Sequence, residues 1–387
     1  MRLRRLQLFD YRNFHRLDLP ISGDVAVLIG DNAQGKSNLL ESIYLLVTMR
    51  VVRVEADVQL IRREVLSDVQ PAARVVGHAE TENELVKVEV AIVARQGAKN
   101  LIATKSVKVN GAARRLGDAV GRITAVLFTA DDLEMVMGSP SPRRKFIDIA
   151  LSQVDSEYST ALRQYEKVVS QRNSLLKRIR EGQAGRDELD FWDTELATHG
   201  GLILHRRSVA LKTLGPLAAE AHASLAFDEV LGIHYQPRLD GMNEDSLADQ
   251  ARSTKSLKDC LGRGLDRDIA AGMTRNGPHR DDIEFDLNGF STSGFASRAQ
   301  QRTIALALRL AEARYLMEQR GEAPLLLLDD ILSEMDESRR ASVLGSLVGM
   351  GQIFMTGTDV DRFPAEFTST AELFQVNAGT IVPFEPN

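Results

Sequence analysis

Residues 25–37 read Val-Ala-Val-Leu-Ile-Gly-Asp-Asn-Ala-Gln-Gly-Lys-Ser, and no other run in the 387-residue chain narrows the fold as far. Val25–Ile29 is continuously apolar, as a strand covered on both faces must be. It stops at Gly30, and a helical pattern follows over 36–49. The segment between matches G-x-x-x-x-G-K-[ST], a turn whose backbone N–H groups curl inward around phosphate oxygens. Gly30, Asp31, Asn32, Ala33, Gln34, Gly35, Lys36 and Ser37 are therefore candidate phosphate ligands. Lys36 is placed to reach the β- and γ-phosphates and Ser37 to offer its hydroxyl to Mg²⁺. The helix starting near Lys36 aims its N-terminal dipole at the same charge.

A second apolar strand, Leu325–Leu328, ends in Asp329-Asp330. In a parallel sheet such a strand delivers its carboxylates to the edge where phosphate loops sit. Asp329 is then a candidate Mg²⁺ ligand, and Asp330 is placed to orient or deprotonate an attacking water. A strand end with two solvated acids is the plain alternative. Upstream, Ser297 and Gln300 fit a capping box, S-x-x-Q, at the start of a helix expected over 298–319. A capped N-terminus with a serine hydroxyl is also a phosphate-binding device.

Around these motifs the chain reads as β over its first 30 residues and again over 84–128, where Val107-Lys108-Val109 runs into the hairpin pair Asn110-Gly111. After about residue 148 the period turns helical. Tyr158, Leu162, Tyr165, Val169, Leu176 and Ile179 follow a 4-3 rhythm that Arg172 interrupts. A second helical stretch, 191–226, is weakened by Gly200-Gly201 and Pro216. More helix is expected around Cys260. From 275 the α/β signals return, with Asn288-Gly289 as a second hairpin pair and a helix over Glu337–Leu347. The simplest architecture is one α/β domain split in sequence by a helical insertion, with parts 1–148, 149–270 and 271–387.

Composition removes several classes. Hydrophobic residues make up 43% and charged residues 26%, as in ordinary globular chains. The longest apolar runs are too short to cross a bilayer, and MRLRRLQLFD lacks the apolar core of a secretory signal. A single cysteine excludes an intramolecular disulfide and a cysteine-built metal site, and fits a reducing cytoplasm. Net charge is −6, which argues against a blanket nucleic-acid coat but leaves room for local basic patches.

Taken in order, these motifs resemble the ABC-type ATPases of DNA repair, and within them the RecF family. The resemblance rests on Tyr11-Arg-Asn-Phe14, on 30–43 with Asn38-Leu-Leu-Glu41, on Ser139-Pro-Ser-Pro-Arg-Arg144, on Gly277-Pro-His-Arg-Asp-Asp282, on Gln300-Gln-Arg-Thr-Ile-Ala-Leu306 and on 326–336. It implies an α/β ABC-type P-loop ATPase head split in sequence, with 149–270 as an inserted helical lobe or short arm. It further implies a slow DNA-dependent ATPase, binding ATP and Mg²⁺. Two copies would form an ATP-dependent homodimer, close on duplex DNA near single-strand gaps or junctions, and help RecO and RecR load RecA. Carried over by position, Asp329 matches the magnesium aspartate and Asp330 the catalytic acid, where many ABC ATPases have glutamate. Ser297 and Gln300 match the signature motif that acts on nucleotide in the other subunit, with Ala299 between them. Asp336 matches the D-loop, and Thr358 stands at the switch position where transporters carry histidine.

Two departures stand out: Ala299 replaces the usual signature glycine, and Val51-Val52 replaces a polar-aromatic pair. Candidate DNA contacts are Lys105, Lys108, Arg114 and Arg115 around the Asn110-Gly111 turn, and Arg143 and Arg144. A solvated basic face is the bland reading of each group. His279 has no second histidine at metal spacing and reads as part of a structural loop, and Trp192 reads as helical core. The alternatives are a structural SMC-like chromosome ATPase, which needs far longer arms, and a transport-type ABC subunit, which would carry the switch histidine.

Overall fold

The structure, a computed structural model, describes residues 1–384 apart from 52–55, 98–99, 227, 241–243, 333–334, 336 and 364. The expectations for Asp336 and Val52 fall outside the described residues. The chain divides into two compact units, residues 1–132 with 309–387, and residues 133–308.

The first unit holds two six-stranded sheets. One runs in the order Thr380–Pro383, Glu372–Asn377, Val25–Ile29, Ile353–Gly357, Leu325–Leu328, Ala125–Phe128. Every neighbouring pair in it is parallel except the first. Leu325–Leu328, Ala125–Phe128 and Ile353–Gly357 are buried at every position; the first two are unbroken apolar runs for that reason, and the third carries Thr356 among its apolar residues. The other sheet, in the order Phe14–Pro20, Arg2–Tyr11, Ala72–Glu80, Leu85–Gln96, Leu101–Val109, Ala112–Arg114, is antiparallel throughout. Here burial alternates: Val86, Val88, Val90, Ile92 and Ala94 face inward along Leu85–Gln96. Asn110 and Gly111 both take positive φ, +50° and +81°, as a type I′ hairpin requires.

The Lys36–Thr48 helix touches strands of both sheets. Its residues 39–47 are buried without a break, so it is covered on all sides rather than amphipathic, with Glu41 paired to Arg12 at 3.0 Å. Gly77 makes room for it, since a Cβ there would overlap Leu46.

The second unit is built on the helices Pro140–Val154, Ser156–Arg180, Leu189–Leu225 and Gln250–Ala271, with a three-stranded sheet of Phe290–Ser291, Asp282–Leu287 and Leu231–Gln236. The Leu189–Leu225 helix runs unbroken through Gly200-Gly201 and Pro216, against the expected weakening. Close packing is the reason. A Cβ on Gly200 would overlap Leu257, and one on Gly201 would overlap the backbone of Thr254, both on the Gln250–Ala271 helix. Arg172 does not interrupt its seam either. It is fully buried, donating from Nε to Asp193 at 2.6 Å and from Nη1 to Asp268 at 2.7 Å and Thr274 Oγ1 at 2.9 Å. A charge in the core is tolerable only with such partners. The Pro140–Val154 helix has no counterpart among the sequence expectations. Its start is the Ser139-Pro140 step, with proline in the first turn where no N–H is needed.

Candidate functional site

The phosphate loop leaves the Val25–Ile29 strand at Gly30 and enters its helix at Lys36. Ala33 (φ +64°) and Gly35 (φ +116°) both lie in the left-handed region. Gly35 is also pressed from outside, because a Cβ there would meet the Asn13 amide. Lys36 is 7% exposed, and its ammonium donates to the carbonyls of Gly30 at 2.5 Å and Asp31 at 2.8 Å. Burial lowers its pKa, while Asp330, Asp329 and Asp31 pull the other way. The lysine thus lies under the loop as a desolvated cation, with its short bonds to backbone carbonyls.

Two segments clamp the loop at Gln34. Asn13 Nδ2 donates to the Gln34 carbonyl at 2.8 Å, and Asn38 Nδ2 donates in turn to Asn13 Oδ1 at 2.8 Å. From the hairpin after Glu372–Asn377, the N–H of Gly379 donates to the same carbonyl at 3.1 Å and that of Ala378 to Gln34 Oε1 at 2.7 Å. Asn13 and this hairpin were not among the expected site residues. The sequence signals for Asn13 are an amide in a short turn between two strands and its place in Tyr11-Arg-Asn-Phe14, one of the stretches that carry the resemblance, with no role attached to it.

Asp329 follows the Leu325–Leu328 strand and is 7% exposed. Ser37 Oγ donates to its Oδ1 at 2.7 Å, joining residues that are 292 positions apart. Two protein oxygens side by side suit Mg²⁺, which takes most of its octahedral shell from water and phosphate. The Thr356 hydroxyl lies 3.2 Å from the same Oδ1 and accepts the backbone N–H of Asp330 at 2.8 Å. Parallel register brings them together, since Leu328 pairs with Met355. Asp330 itself has φ +54°, a left-handed conformation that aspartate tolerates better than longer side chains. Thr356 was also missed. Its signal is a polar residue inside the buried strand Ile-Phe-Met-Thr-Gly. Thr358 lies just beyond that strand, half-buried.

In the second unit, both halves of the capping box form: Ser297 N–H to Gln300 Oε1 at 2.8 Å, and Gln300 N–H to Ser297 Oγ at 3.3 Å. Ser297 Oγ accepts in this pair, so its proton stays available for donation. Gln300 Nε2 donates to Glu229 at 2.7 Å. Ala299 is helical, so its methyl brings no backbone strain. Among the basic candidates, Lys108, Arg114 and Arg115 are exposed, whereas Lys105 pairs with Asp57 at 2.8 Å. Arg143 grips Asp282 with Nε at 2.6 Å and Nη2 at 3.0 Å, and Arg144 donates to the Asp281 carbonyl at 2.6 Å. His279 bonds Tyr165 Oη at 2.7 Å and the Thr274 carbonyl at 3.1 Å, and burial lowers its pKa to about 4. Trp192 is partly buried against the Leu175, Leu176, Leu189 and Ile269 cluster.

The family described as RecF/RecN/SMC N terminal domain matches residues 2–378. A DNA replication and repair protein RecF from Roseiflexus castenholzii is 38% identical over 395 residues, covering 99% of this chain and all of the relative. The chain belongs to the RecF family. A second RecF, from Herpetosiphon aurantiacus, is 37% identical over the same share. Among solved structures, the recombination mediator protein RecF of the RecFOR pathway superposes in its ATPrS form with a TM-score of 0.87 at 31% identity, covering 99% of this chain and 98% of that one. Its ATP form gives 0.85. An Smc head bound to the C-winged helix domain of ScpA shares the fold alone, at 14% identity and a TM-score of 0.52. The architecture is therefore the ABC-type ATPase head of the RecF and SMC proteins, with its long helical segment, as the motifs led one to expect. Among the described residues, no helix is long and apolar enough to cross a membrane.

Proposed function

We propose that the chain is an ATP-dependent DNA-binding clamp that mediates recombination in DNA replication and repair. The observation that carries this reading is the 2.7 Å bond between Ser37 and Asp329, beside the buried ammonium of Lys36. It joins the two nucleotide motifs of the RecF family at one point, and RecF itself is known in an ATP form.

The loop 30–37 would take the triphosphate through its N–H groups, with Lys36 exchanging its carbonyl bonds for β- and γ-phosphate oxygens. Ser37 and Asp329 are the residues to hold Mg²⁺, which would neutralise charge between those phosphates. Asp330 would orient a water in line with the γ-phosphate and receive its proton. Thr356 would hold both acids in register, and Thr358 would act from the strand end. Ser297, Ala299 and Gln300 would meet the nucleotide of a second copy, with Asp336 at the same interface, so that ATP closes a homodimer and slow hydrolysis reopens it.

DNA would enter as duplex near a single-strand gap, where RecR with RecO would load RecA in the cytoplasm. Residues 149–270 serve in this reading as a short arm. Lys105, Lys108, Arg114, Arg115, Arg143 and Arg144 are the DNA-facing candidates. Contacts by Arg143 or Arg144 would compete with their bonds to Asp282 and the Asp281 carbonyl.

Gel filtration with ATP and a gapped duplex tests the reading. Wild type should shift to a DNA-bound dimer, and Lys36→Met should stay behind because a charge-assisted contact of roughly 1.5–3 kcal/mol is gone. Equal dimerisation of the two proteins would exclude the nucleotide role of the loop.

A further inference from the structure

On the helical unit, Arg238, Arg267, Arg275 and Arg280 line one hollow of about 460 Å³, with Asp240, Asp268 and Asn276 beside them. The arginines come from three places: the exit of the Leu231–Gln236 strand, the Gln250–Ala271 helix, and the loop leading to Asp282–Leu287. All four are exposed. The two acids do not neutralise them. Asp268 is buried and already committed, accepting from Arg172 Nη1 at 2.7 Å through Oδ2 and from the Arg275 backbone N–H at 3.1 Å through Oδ1. Asp240 lies 3.9 Å from Arg267, both side chains 66% exposed, a solvent-screened pair of little strength. Arg280 has only long contacts, 3.5 Å to the Thr274 carbonyl and 3.7 Å to Met273 Sδ. The side chains of Arg238 and Arg275 make no hydrogen bond or ion pair among the described residues.

Like charges gathered around one hollow repel, and an anion between them reverses the sign of that energy. We propose that this hollow binds a phosphoryl anion. Guanidiniums arriving from three segments suit a tetrahedral group, which accepts from several directions at once. A planar carboxylate accepts the guanidinium fork chiefly in its own plane. Two sources share this chemistry, the backbone of a DNA duplex and a free polyphosphate. The site lies in the unit that does not contain the phosphate loop, so it stands or falls independently of the nucleotide reading.

The test is Arg238→Ala/Arg275→Ala in the full chain, with circular dichroism and ATP binding as controls for the fold. Fluorescence anisotropy with a 30-base-pair duplex across a salt series forms one arm, and calorimetry with pyrophosphate forms the other. If the source is duplex, the variant binds DNA about tenfold or more weakly at 0.1 M salt. Its log–log salt slope shrinks by about 1.8, or 0.9 for each phosphate no longer neutralised. If the source is free polyphosphate, wild type binds one more pyrophosphate per chain than the variant, which keeps only the phosphate loop, while duplex binding is unchanged. Either result supports the site. The proposal is overturned if the variant matches wild type in both arms, or if polyglutamate binds wild type through these arginines while duplex and pyrophosphate binding do not depend on them, which assigns the hollow to an acidic protein partner.

Discussion

The hydroxyl of Thr356 accepts the backbone N–H of Asp330 at 2.8 Å while lying 3.2 Å from Asp329, so one side chain spaces both acids of the strand end. Thr356→Val keeps the shape and removes the hydroxyl. It leaves a part-buried N–H unsatisfied, which costs about 1–3 kcal/mol. Denaturant unfolding should register that loss, and single-turnover ATP hydrolysis should slow with it. Thr356→Ser should restore both.

Asp330 sits at φ +54°. Asparagine accepts this conformation, whereas alanine and glutamate meet a strain of about 1–2 kcal/mol. Asp330→Asn should therefore keep stability and ATP affinity while hydrolysis falls. Asp330→Glu should be less stable than Asp330→Asn, even though glutamate is the residue many ABC ATPases carry. Unchanged turnover in Asp330→Asn removes the carboxylate from the reaction.

Asn13→Ala deletes two hydrogen bonds beneath the phosphate loop and empties the space against Gly35. At about 1 kcal/mol for each bond, ATP affinity should drop roughly 10- to 30-fold. The loss belongs in the ATP dissociation constant rather than in the rate of the bound complex. Equilibrium titration and single-turnover kinetics separate the two.

The strand, loop and helix over 25–48 are legible because each signal is local: an unbroken apolar run, glycines at a tight turn, a lysine and serine at fixed spacing. Leu325–Leu328 and the helix opening at Ser297 are legible for the same reason. The partners are not. Thr356 reaches Asp329 only through the register of two parallel strands, and Asn13 reaches Gln34, 21 positions on, across two whole strands. Gly200-Gly201 misleads on its own. The pair looks like a helix breaker until Thr254 and Leu257 are seen pressed against it.

Burial holds the His279 pKa at about 4, below the ordinary value of about 6.5. Thr274 offers only a carbonyl, which assigns the proton of the neutral ring to Nε2 and leaves Nδ1 to accept from Tyr165 Oη. Between these two pH values the unfolded chain takes a proton that the folded chain rejects. The contribution is complete above about pH 6.5 and is lost as pH falls towards 4, at no more than about 1.4 kcal/mol per pH unit. Wild type should consequently lose more stability than His279→Gln between pH 7.5 and 5. Parallel losses in urea titrations of the two proteins would dissociate this histidine from acid sensitivity.

The strand that feeds the phosphate loop has both of its neighbours, Ile353–Gly357 and Glu372–Asn377, near the other end of the chain. Ala378 closes on Gln34 from 344 residues away. At roughly 5–20 residues per second, a ribosome takes on the order of 20–70 s to supply that distance. For most of that interval the nascent chain carries a phosphate loop without its parallel sheet and an apolar strand with two open edges, the form of strand most prone to pairing with the wrong chain. Competence to hold nucleotide thus arrives last in synthesis although its motif is made first, and a message cut short before codon 378 yields a loop that is written but never assembled.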